Sequence, residues 1–233
     1  MLSFNSALNF KNIKESFEID KRLQINNVWD LDIATSIYKS LSKDIKYKHA
    51  YALKGQNFEL TEQDIRGLSQ SKLQQFTNSI QKEASQGIGF LYGRQLIKSD
   101  DIEQPEVIKS VKTFLNSDFV IQKVRDISGH FDINMASVKA TRYMPGNFLT
   151  RHNDINADEN RKLAYVLGFT PEWHPDWGGL LQFYEKNGTP RDAWSPVFNS
   201  MAIFDVNHIH SVTYIAPFAL APRYAIAGFF RAD

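Results

Sequence analysis

Hydrophobic and polar residues alternate in short runs through the second half of the chain, from Asn134 onward. The runs are MASVKATRYM, LAYVLGF, LLQFYEK, SMAIFDV, HSVTYI and RYAIAGFF. Alternation with a period of two is typical of strands with one buried face, and the Pro, Gly and Asn residues between the runs are typical of turns. Many short strands at close spacing predict an antiparallel barrel or jelly roll.

The first half of the chain mixes helical and extended patterns. Alternation in FEIDKRLQI, residues 17–25, predicts a strand. The next segment, DLDIATSIYKSLSK, carries apolar residues at helical spacing and predicts a helix capped by Asp30. The segment YKHAYALKGQNFEL then predicts two short strands around a Lys-Gly pair.

Three further segments complete the first half. Thr61 is expected to cap a helical stretch, EQDIRGLSQSKLQQFTNSIQKEA. The segment GIGFLYGRQLI, residues 87–97, is expected to be extended, and it is either a wall for a bound peptide or part of the core. Residues 105–128 are predicted to be helical.

The chain has no internal repeat, low-complexity tract or clear linker. We therefore predict one domain, residues 1–233, in which a mixed helical support packs on a jelly-roll core. The boundary between support and core is expected near residue 133. The predicted fold class is mainly β, with supporting helices and an N-terminal α/β support.

Composition excludes several classes of protein. The 233 residues are 42% hydrophobic, which is enough for a large core, and 27 basic and 26 acidic side chains leave a net charge of +1. This balance predicts no direct contact with nucleic acid or with a membrane. The chain has no cysteine, so a metal would need His, Asp or Glu ligands. Neither a signal peptide nor a long apolar run is evident, and the expected location is the cytoplasm.

The pattern His-x-Asp occurs three times, at His130-Phe131-Asp132, His152-Asn153-Asp154 and His174-Pro175-Asp176. On an extended strand, positions i and i+2 face the same side, so both side chains can reach one ion. The pair at 174 lies among prolines and glycines and is expected in a loop, whereas the pair at 130 follows a predicted helix. The pair at 152 follows an extended run and is the strongest candidate.

A metal site would need a third ligand from a distant strand. The segment NHIHSV offers His208 and His210, and the local pattern leaves the choice between them open. Two His and one Asp on one face of a metal leave open positions, as in non-haem Fe(II) oxygenases. The same residues could also hold Zn²⁺ in a hydrolase, with Glu159 or Glu172 as general base. A non-catalytic barrel that binds 2-oxoglutarate or a partner protein is a further alternative.

A set of motifs resembles the Fe(II)/2-oxoglutarate-dependent dioxygenases, and most closely their prolyl 4-hydroxylase-like branch, which includes hypoxia-sensing enzymes and hydroxylases of translation proteins. The motifs are RHND, PDWGGLLQFY, SPVFNSMAIFDV, HSV and RYAIAGFF, in the order of that family. The resemblance covers about residues 134–230 and, more loosely, residues 30–60. It implies a double-stranded β-helix as the form of the jelly roll.

The resemblance also implies roles for individual residues. It implies His152, Asp154 and His210 as the iron ligands and the catalytic centre. It implies that Arg223 binds the distal carboxylate of 2-oxoglutarate, as a planar guanidinium can do bidentately, and that Tyr143 hydrogen-bonds the same co-substrate.

The chain departs from the family's pattern near this arginine. Ala225 stands where many members have Ser or Thr, although hypoxia-type members also have alanine there. The loop between His210 and Arg223 is longer than in several members, and Arg231 is the competing arginine nearby.

The implied cofactors are Fe(II), 2-oxoglutarate as co-substrate and O₂, with ascorbate as a further candidate. The implied reaction is C–H hydroxylation, with a prolyl residue of a ribosomal protein or elongation factor as the first-choice substrate. Free proline or another small amino acid is the alternative. Trp173, Trp177 and Trp194 are expected near the barrel's loops, as a substrate wall or as core. The oligomeric state stays open.

Overall fold

The computed structural model describes residues 2–87 and 89–232. Over these residues the chain forms six α-helices: α1 (Phe10–Asp20), α2 (Leu31–Lys43), α3 (Glu62–Arg66), α4 (Gln70–Ser85), α5 (Glu106–Leu115) and α6 (Asp118–Ser128). None of them combines the length and the apolar character needed to cross a bilayer.

The described residues also form thirteen strands: β1 (Arg22–Asn26), β2 (Lys48–Leu53), β3 (Gln56–Leu60), β4 (Phe90–Leu96), β5 (Met135–Ala136), β6 (Lys139–Tyr143), β7 (Phe148–His152), β8 (Arg161–Gly168), β9 (Leu181–Tyr184), β10 (Pro190–Trp194), β11 (Ser200–Asp205), β12 (Ile209–Val212) and β13 (Arg223–Arg231). A 3₁₀ turn covers Pro175–Trp177.

The strands form a single sheet with the order β1-β11-β8-β13-β6-β4-β7-β12-β9-β10. The hairpin of β2 and β3 joins at β4, β5 pairs with the end of β13, and these pairings are antiparallel. Strands from both ends of this order line one cavity, so the sheet is curled into a nearly closed barrel. The predicted jelly roll, mainly β with supporting helices, is confirmed.

Four helices pack on the outer face of β8 and β13. Ile37 of α2, Val111 of α5 and Val124 of α6 share one buried cluster with Ile226 of β13. The neighbouring Ala227 lines the cavity instead, because successive side chains of a strand point to opposite faces. Burying each large aliphatic side chain contributes about 1.5–3 kcal/mol. The helices therefore hold the strands that form one wall of the cavity.

The first half contributes strands as well as helices to this sheet. β1 pairs with β11 over five residues, and β4 lies between β6 and β7. The predicted hairpin around Lys54 is present as β2 and β3. The predicted single domain, with its boundary near residue 133, stays a prediction.

The strand predicted over residues 17–25 is wrong in its first half. Phe17–Asp20 is the end of α1, and only Arg22–Asn26 is extended. Asn9 caps α1 by accepting hydrogen bonds from two backbone N–H groups, and Ile13 and Phe17 are buried one helical turn apart. The apolar residues at 17 and 19 alternate like a strand, but packing of Ile13 and Phe17 on one helix face decides the structure.

Two predicted helices are each divided in two. The stretch after Thr61 breaks at Gly67, and Ser69 caps a second helix, α4, through the N–H of Lys72. Residues 105–128 form α5 and α6, because Ser117 caps α6 through the N–H of Val120. A serine side chain that accepts a backbone hydrogen bond begins a new helix rather than continuing the old one.

Candidate active site

A cavity of about 80 Å³ lies inside the curled sheet. Its lining comes from eight strands: Tyr92, Lys139, Thr141, Tyr143, Leu149, His152, Asp154, Ala164, Tyr165, Val166, Leu181, Phe204, His210, Val212, Arg223, Ala227, Gly228 and Phe229. Apolar and polar side chains share this lining, and two groups of polar side chains stand out. One contains histidines and a carboxylate, and the other contains an arginine and a tyrosine.

Two histidines face each other across the pairing of β7 and β12. His152 ends β7 and lies directly opposite His210 of β12 in the antiparallel register. The centres of their imidazole rings are 4.3 Å apart, and the ring planes are inclined by 53°. Residues opposite each other in an antiparallel pair project to the same face, so both rings enter the cavity.

Asp154 completes a group of three. Its carboxylate lies 3.5 Å from Nε2 of His152 and 3.3 Å from Nε2 of His210. The backbone N–H of Asp154 donates to the carbonyl oxygen of Val206, 3.0 Å away, which fixes the chain just beyond the end of β7. One ligand atom from each of the three residues lies within 4.8 Å of the others, a spacing that fits one metal ion.

The outer nitrogen of each histidine is held by the backbone. Nδ1 of His152 lies 2.9 Å from the carbonyl oxygen of Thr150, and Nδ1 of His210 lies 3.0 Å from that of His208. A carbonyl can only accept, so each Nδ1 carries the hydrogen and donates it. Each Nε2 therefore keeps its lone pair and points it into the cluster, which is the orientation that a metal ligand needs.

Burial and charge set the protonation of the cluster. Burial lowers the pKa of His210 to about 4, although the nearby Asp154 carboxylate opposes this. Burial by itself would raise the pKa of Asp154, but the contacts with His152 and His210 bring its pKa below the usual 3.8. A neutral His210 beside an ionised carboxylate suits a divalent cation.

The remaining histidine candidates lie outside this cluster. Nε2 of His208 is 2.8 Å from the carbonyl oxygen of Asp20, and the ring meets Phe183 edge-on. His130 lies near Asp205, at 3.5 Å, rather than near its own Asp132. The structure thus brings His210, and not His208, to His152 and Asp154.

Arg223 begins β13 at the other end of the cavity. Its exposure is 4%, and its Nε is buried without a hydrogen-bond partner. The described residues give it no ion pair, and its guanidinium lies 5.3 Å from the ring centre of Tyr143. Burial lowers the pKa of Arg223, and Tyr143 opposes this shift. A buried guanidinium without a counter-charge is costly, so the site fits a ligand carboxylate.

Tyr143 lies directly opposite Arg223 in the pairing of β6 with β13. Its ring stacks on Tyr92 of β4, with ring centres 4.8 Å apart and planes inclined by 10°. Burial raises the pKa of Tyr143 above 10.0, so the hydroxyl stays protonated and can donate a hydrogen bond. Tyr92 also lines the cavity, although the sequence patterns did not identify it. The pattern that could have identified it is the alternation along the extended segment, in which Tyr92 points to the opposite face from its neighbours Leu91 and Gly93.

Two adjacent glycines lie in the loop that packs beside Arg223. Gly178 and Gly179 both have φ above +60°, a region that costs little for glycine alone. A Cβ on Gly178 would collide with the backbone of Tyr214, and one on Gly179 would collide with Ile215 and touch Arg223. The loop therefore comes close to the arginine because it has no side chains at these positions.

The tryptophans divide between two clusters. Trp173 and Trp177 meet edge to face, 5.3 Å apart, and pack against the cluster that contains Tyr143. Trp194 instead packs on Phe183 at 4.7 Å, in another cluster. The described residues that line the cavity include none of the three tryptophans, so the structure favours core packing over a substrate wall.

The hydrolase alternative lacks a placed base. Glu159 accepts from Nε of Arg161 at 2.8 Å and lies 3.8 Å from Arg231, so its carboxylate is held in ion pairs outside the cluster. Glu172 is exposed in the loop before the 3₁₀ turn. Two histidines, one carboxylate and an unpaired arginine in the same cavity fit Fe(II) with a dicarboxylate co-substrate better.

Residues 138–231 match the family model of the 2OG-Fe(II) oxygenase superfamily. The matched segment includes the histidine and aspartate cluster, Tyr143 and Arg223. A search of curated protein sequences found no match to the chain.

Solved structures share the fold at low sequence identity. A prolyl-4-hydroxylase from Pseudomonas putida matches with a TM-score of 0.66 and 16% identity, over 97% of this chain and 100% of that one. A Trichoplax adhaerens prolyl hydroxylase, solved with a peptide fragment of hypoxia inducible factor, matches with a TM-score of 0.66 and 17% identity, over 95% of this chain and 88% of that one. A 2OG-Fe(II) oxygenase family oxidoreductase from Burkholderia pseudomallei matches with a TM-score of 0.63 and 10% identity, over 98% and 93%.

Together, the family match and the donor set point to one kind of chemistry. The 2OG-Fe(II) oxygenase superfamily uses Fe(II), 2-oxoglutarate and O₂, and the cavity offers two histidines and a carboxylate with a buried cation at its other end. The similarity to that superfamily covers residues 138–231, which is less than half of the chain, and nearly the whole chain shares the fold of the two prolyl hydroxylases.

Proposed function

We propose that the protein hydroxylates a prolyl residue of another protein. The reaction converts R–H, O₂ and 2-oxoglutarate into R–OH, succinate and CO₂. The observation that carries the proposal is one cavity that holds His152, Asp154 and His210 at one end and the unpaired Arg223 at the other. Bound iron supplies the oxygen activation, and the protein supplies the geometry.

We assign the three cluster residues as iron ligands. The two Nε2 atoms and the Asp154 carboxylate would hold Fe(II), which would supply the activation of O₂ when bound. The carbonyl oxygens that hold both Nδ1 atoms keep the rings from rotating, so the ligand geometry does not have to form when the metal binds.

We assign Arg223 and Tyr143 to the distal carboxylate of 2-oxoglutarate. The guanidinium is permanently charged, buried and without a protein carboxylate, and Tyr143 keeps its proton and can donate. Ala225 adds no hydroxyl here, but the neighbouring Thr141 lines the cavity. Its Oγ1 donates to the carbonyl oxygen of Ala225 at 3.2 Å.

Similar structures support a prolyl substrate within a peptide. The Pseudomonas putida structure is a prolyl-4-hydroxylase, and the Trichoplax adhaerens structure is a prolyl hydroxylase with a peptide bound. We propose an exposed loop of a ribosomal protein or elongation factor as the substrate, and free proline or another small amino acid as the alternative.

The test compares cells with and without the gene. Mass maps of ribosomal proteins and elongation factors should show at least one prolyl peptide that loses a 16 Da addition when the gene is absent. Purified protein with Fe(II), ascorbate and 2-oxoglutarate should then release succinate in response to that peptide. If no such site disappears and free L-proline drives succinate release instead, the small-molecule alternative replaces the peptidyl one.

A further inference from the structure

A lysine enters the same cavity from β6. Lys139, Thr141 and Tyr143 alternate along this strand, and all three line the cavity. The intervening residues, Ala140 and Arg142, point to the other face, as the period of two requires. The ammonium group of Lys139 therefore belongs to the interior of the candidate active site.

The surrounding protein does not neutralise this ammonium. Among the described residues the side chain of Lys139 forms no hydrogen bond or ion pair, and its Nζ lies 5.4 Å from the centre of the Phe229 ring. The nearby carboxylates of Asp154 and Glu159 sense its charge, since Lys139 helps to lower the pKa of each. Asp154 is engaged by the histidines, and Glu159 is engaged by Arg161.

Lys139 and Arg223 lie at opposite ends of the cavity. In the pairing of β6 with β13, Arg223 is opposite Tyr143, and Lys139 is opposite Ala227. Four residues separate the two positions, which is about 13 Å along a strand. Arg223 is buried, whereas Lys139 is only half-buried, so Lys139 marks the more open end.

We infer that Lys139 binds a carboxylate of the substrate at the open end of the cavity and so orients the substrate beside the iron. Phe229 lies under the ammonium group and offers an apolar face for the carbon atoms next to that carboxylate. Arg161 lies on the same ring, 3.9 Å from its centre, and adds positive charge at this rim. The inference rests on the proposed hydroxylase function.

The carboxylate has two possible sources. A free amino acid presents its α-carboxylate next to the ring that is hydroxylated, and a peptide presents an acidic side chain near the target proline. The probes are L-proline with L-prolinamide, and an acetylated Gly-Pro-Glu amide with its Gly-Pro-Gln counterpart. Each pair differs only in the charge that Lys139 would recognise.

The experiment measures binding and turnover separately. Binding of each probe is followed by proton relaxation of the probe in Co(II)-loaded protein with 2-oxoglutarate, without O₂, and turnover is followed by succinate release. We expect Lys139→Met to weaken binding of the charged probe by about tenfold or more. Lys139→Arg should keep most of it. The iron content and the affinity for 2-oxoglutarate should be retained in both variants.

A matched control lies on the neighbouring strand. Lys162 of β8 is already paired with Asp132, 2.8 Å away, so Lys162→Met removes a lysine without changing the cavity. It should leave binding and turnover of the charged probes unchanged.

The possible outcomes separate the inference from the proposed function. Equal binding by wild type and Lys139→Met, a matching loss in Lys162→Met, or no preference of wild type for the charged member of either pair would overturn the role of Lys139. Binding that depends on Lys139 without any hydroxylated product would uphold the carboxylate site and contradict the proposed reaction. Dependence confined to L-proline, or to the peptide pair, identifies the source of the carboxylate.

Discussion

Two His-x-Asp pairs in this protein have similar distances between imidazole nitrogen and carboxylate oxygen, and different surroundings. His152 lies 3.5 Å from Asp154, and His174 lies 3.7 Å from Asp176. The side chains of the first pair are 30% and 10% exposed, and those of the second are 60% and 79% exposed. A cross-strand partner, His210, completes the first pair only.

The comparison shows that the motif alone does not make a metal site. The first pair ends a strand whose neighbour brings His210 to the pair, and the barrel leaves the side chains of Asp154 and His210 only 10% and 6% exposed. The second pair forms the start of a 3₁₀ turn, where Nδ1 of His174 accepts from the N–H of Asp176. That loop contributes to the cavity through Gly178 and Gly179, which follow the pair directly.

The largest effect is expected from removing one member of the cluster of His152, Asp154 and His210. Replacing His152, Asp154 or His210 singly with Ala should leave the protein without stoichiometric Fe(II) and without turnover, because two ligands do not hold the ion in the cavity. His174→Ala and Asp176→Ala should retain iron and activity. Metal content after gel filtration and succinate release are the measurements.

Retention of stoichiometric iron by His210→Ala, together with its loss in His208→Ala, would move the third ligand to His208. His210 lies on β12 and His208 lies just before it, so the same pair of variants distinguishes two residues that are two positions apart.

The second prediction concerns the cation at the far end of the cavity. Arg223→Ala should raise the apparent KM for 2-oxoglutarate about tenfold or more, because losing a buried charge pair costs about 2–5 kcal/mol. Iron binding should survive, since the ligands are unchanged. Arg231→Ala is the control, because Arg231 lies near Glu159. A larger effect of Arg231→Ala would contradict the assignment.

The pH dependence of the free energy of unfolding tests the burial of His210. Burial lowers the pKa of His210 from 6.5 to about 4, so the folded protein holds it neutral where the unfolded chain binds a proton. The free energy of unfolding of the metal-free protein should be fully present above pH 6.5 and should fall by about 3 kcal/mol as the pH approaches 4.

Urea unfolding at several pH values measures this slope. His210→Gln should flatten the slope between pH 6.5 and 4. An unchanged slope in His210→Gln would show that another group is responsible.

The smallest effect is expected from a substitution in the loop that follows His174 and Asp176. Gly179→Ala should destabilise the fold by about 1–3 kcal/mol, because alanine would be strained at a φ of 64° and would press on Ile215 and Arg223. The KM for 2-oxoglutarate should rise as well. Gly188→Ala is the matched control, with φ of 92° in a hairpin turn away from Arg223. An equal change in KM for both variants would exclude a local role for Gly179.

Local patterns accounted for much of the fold. The strands of the second half follow the alternation of apolar residues, and the hairpin of β2 and β3 follows its turn. The end of α1 was missed, because Phe17 and Ile19 fit a strand and a helix equally well over a few residues. Phe17 and Ile13 are buried together on the helix face that packs on other elements, and this burial decides in favour of the helix.

The sequence by itself determined the strand pattern, the His152-Asp154 pair at a strand end and the set of motifs that resembles a dioxygenase. Only the tertiary structure showed that His210 lies opposite His152, that Arg223 is buried without a partner, and that Lys139 shares their cavity. The reason is physical. Alternation and turns depend on neighbours along the chain, whereas a site depends on which strands pair and in which register. In this protein the pairing of β7 with β12 joins residues that are far apart in the sequence.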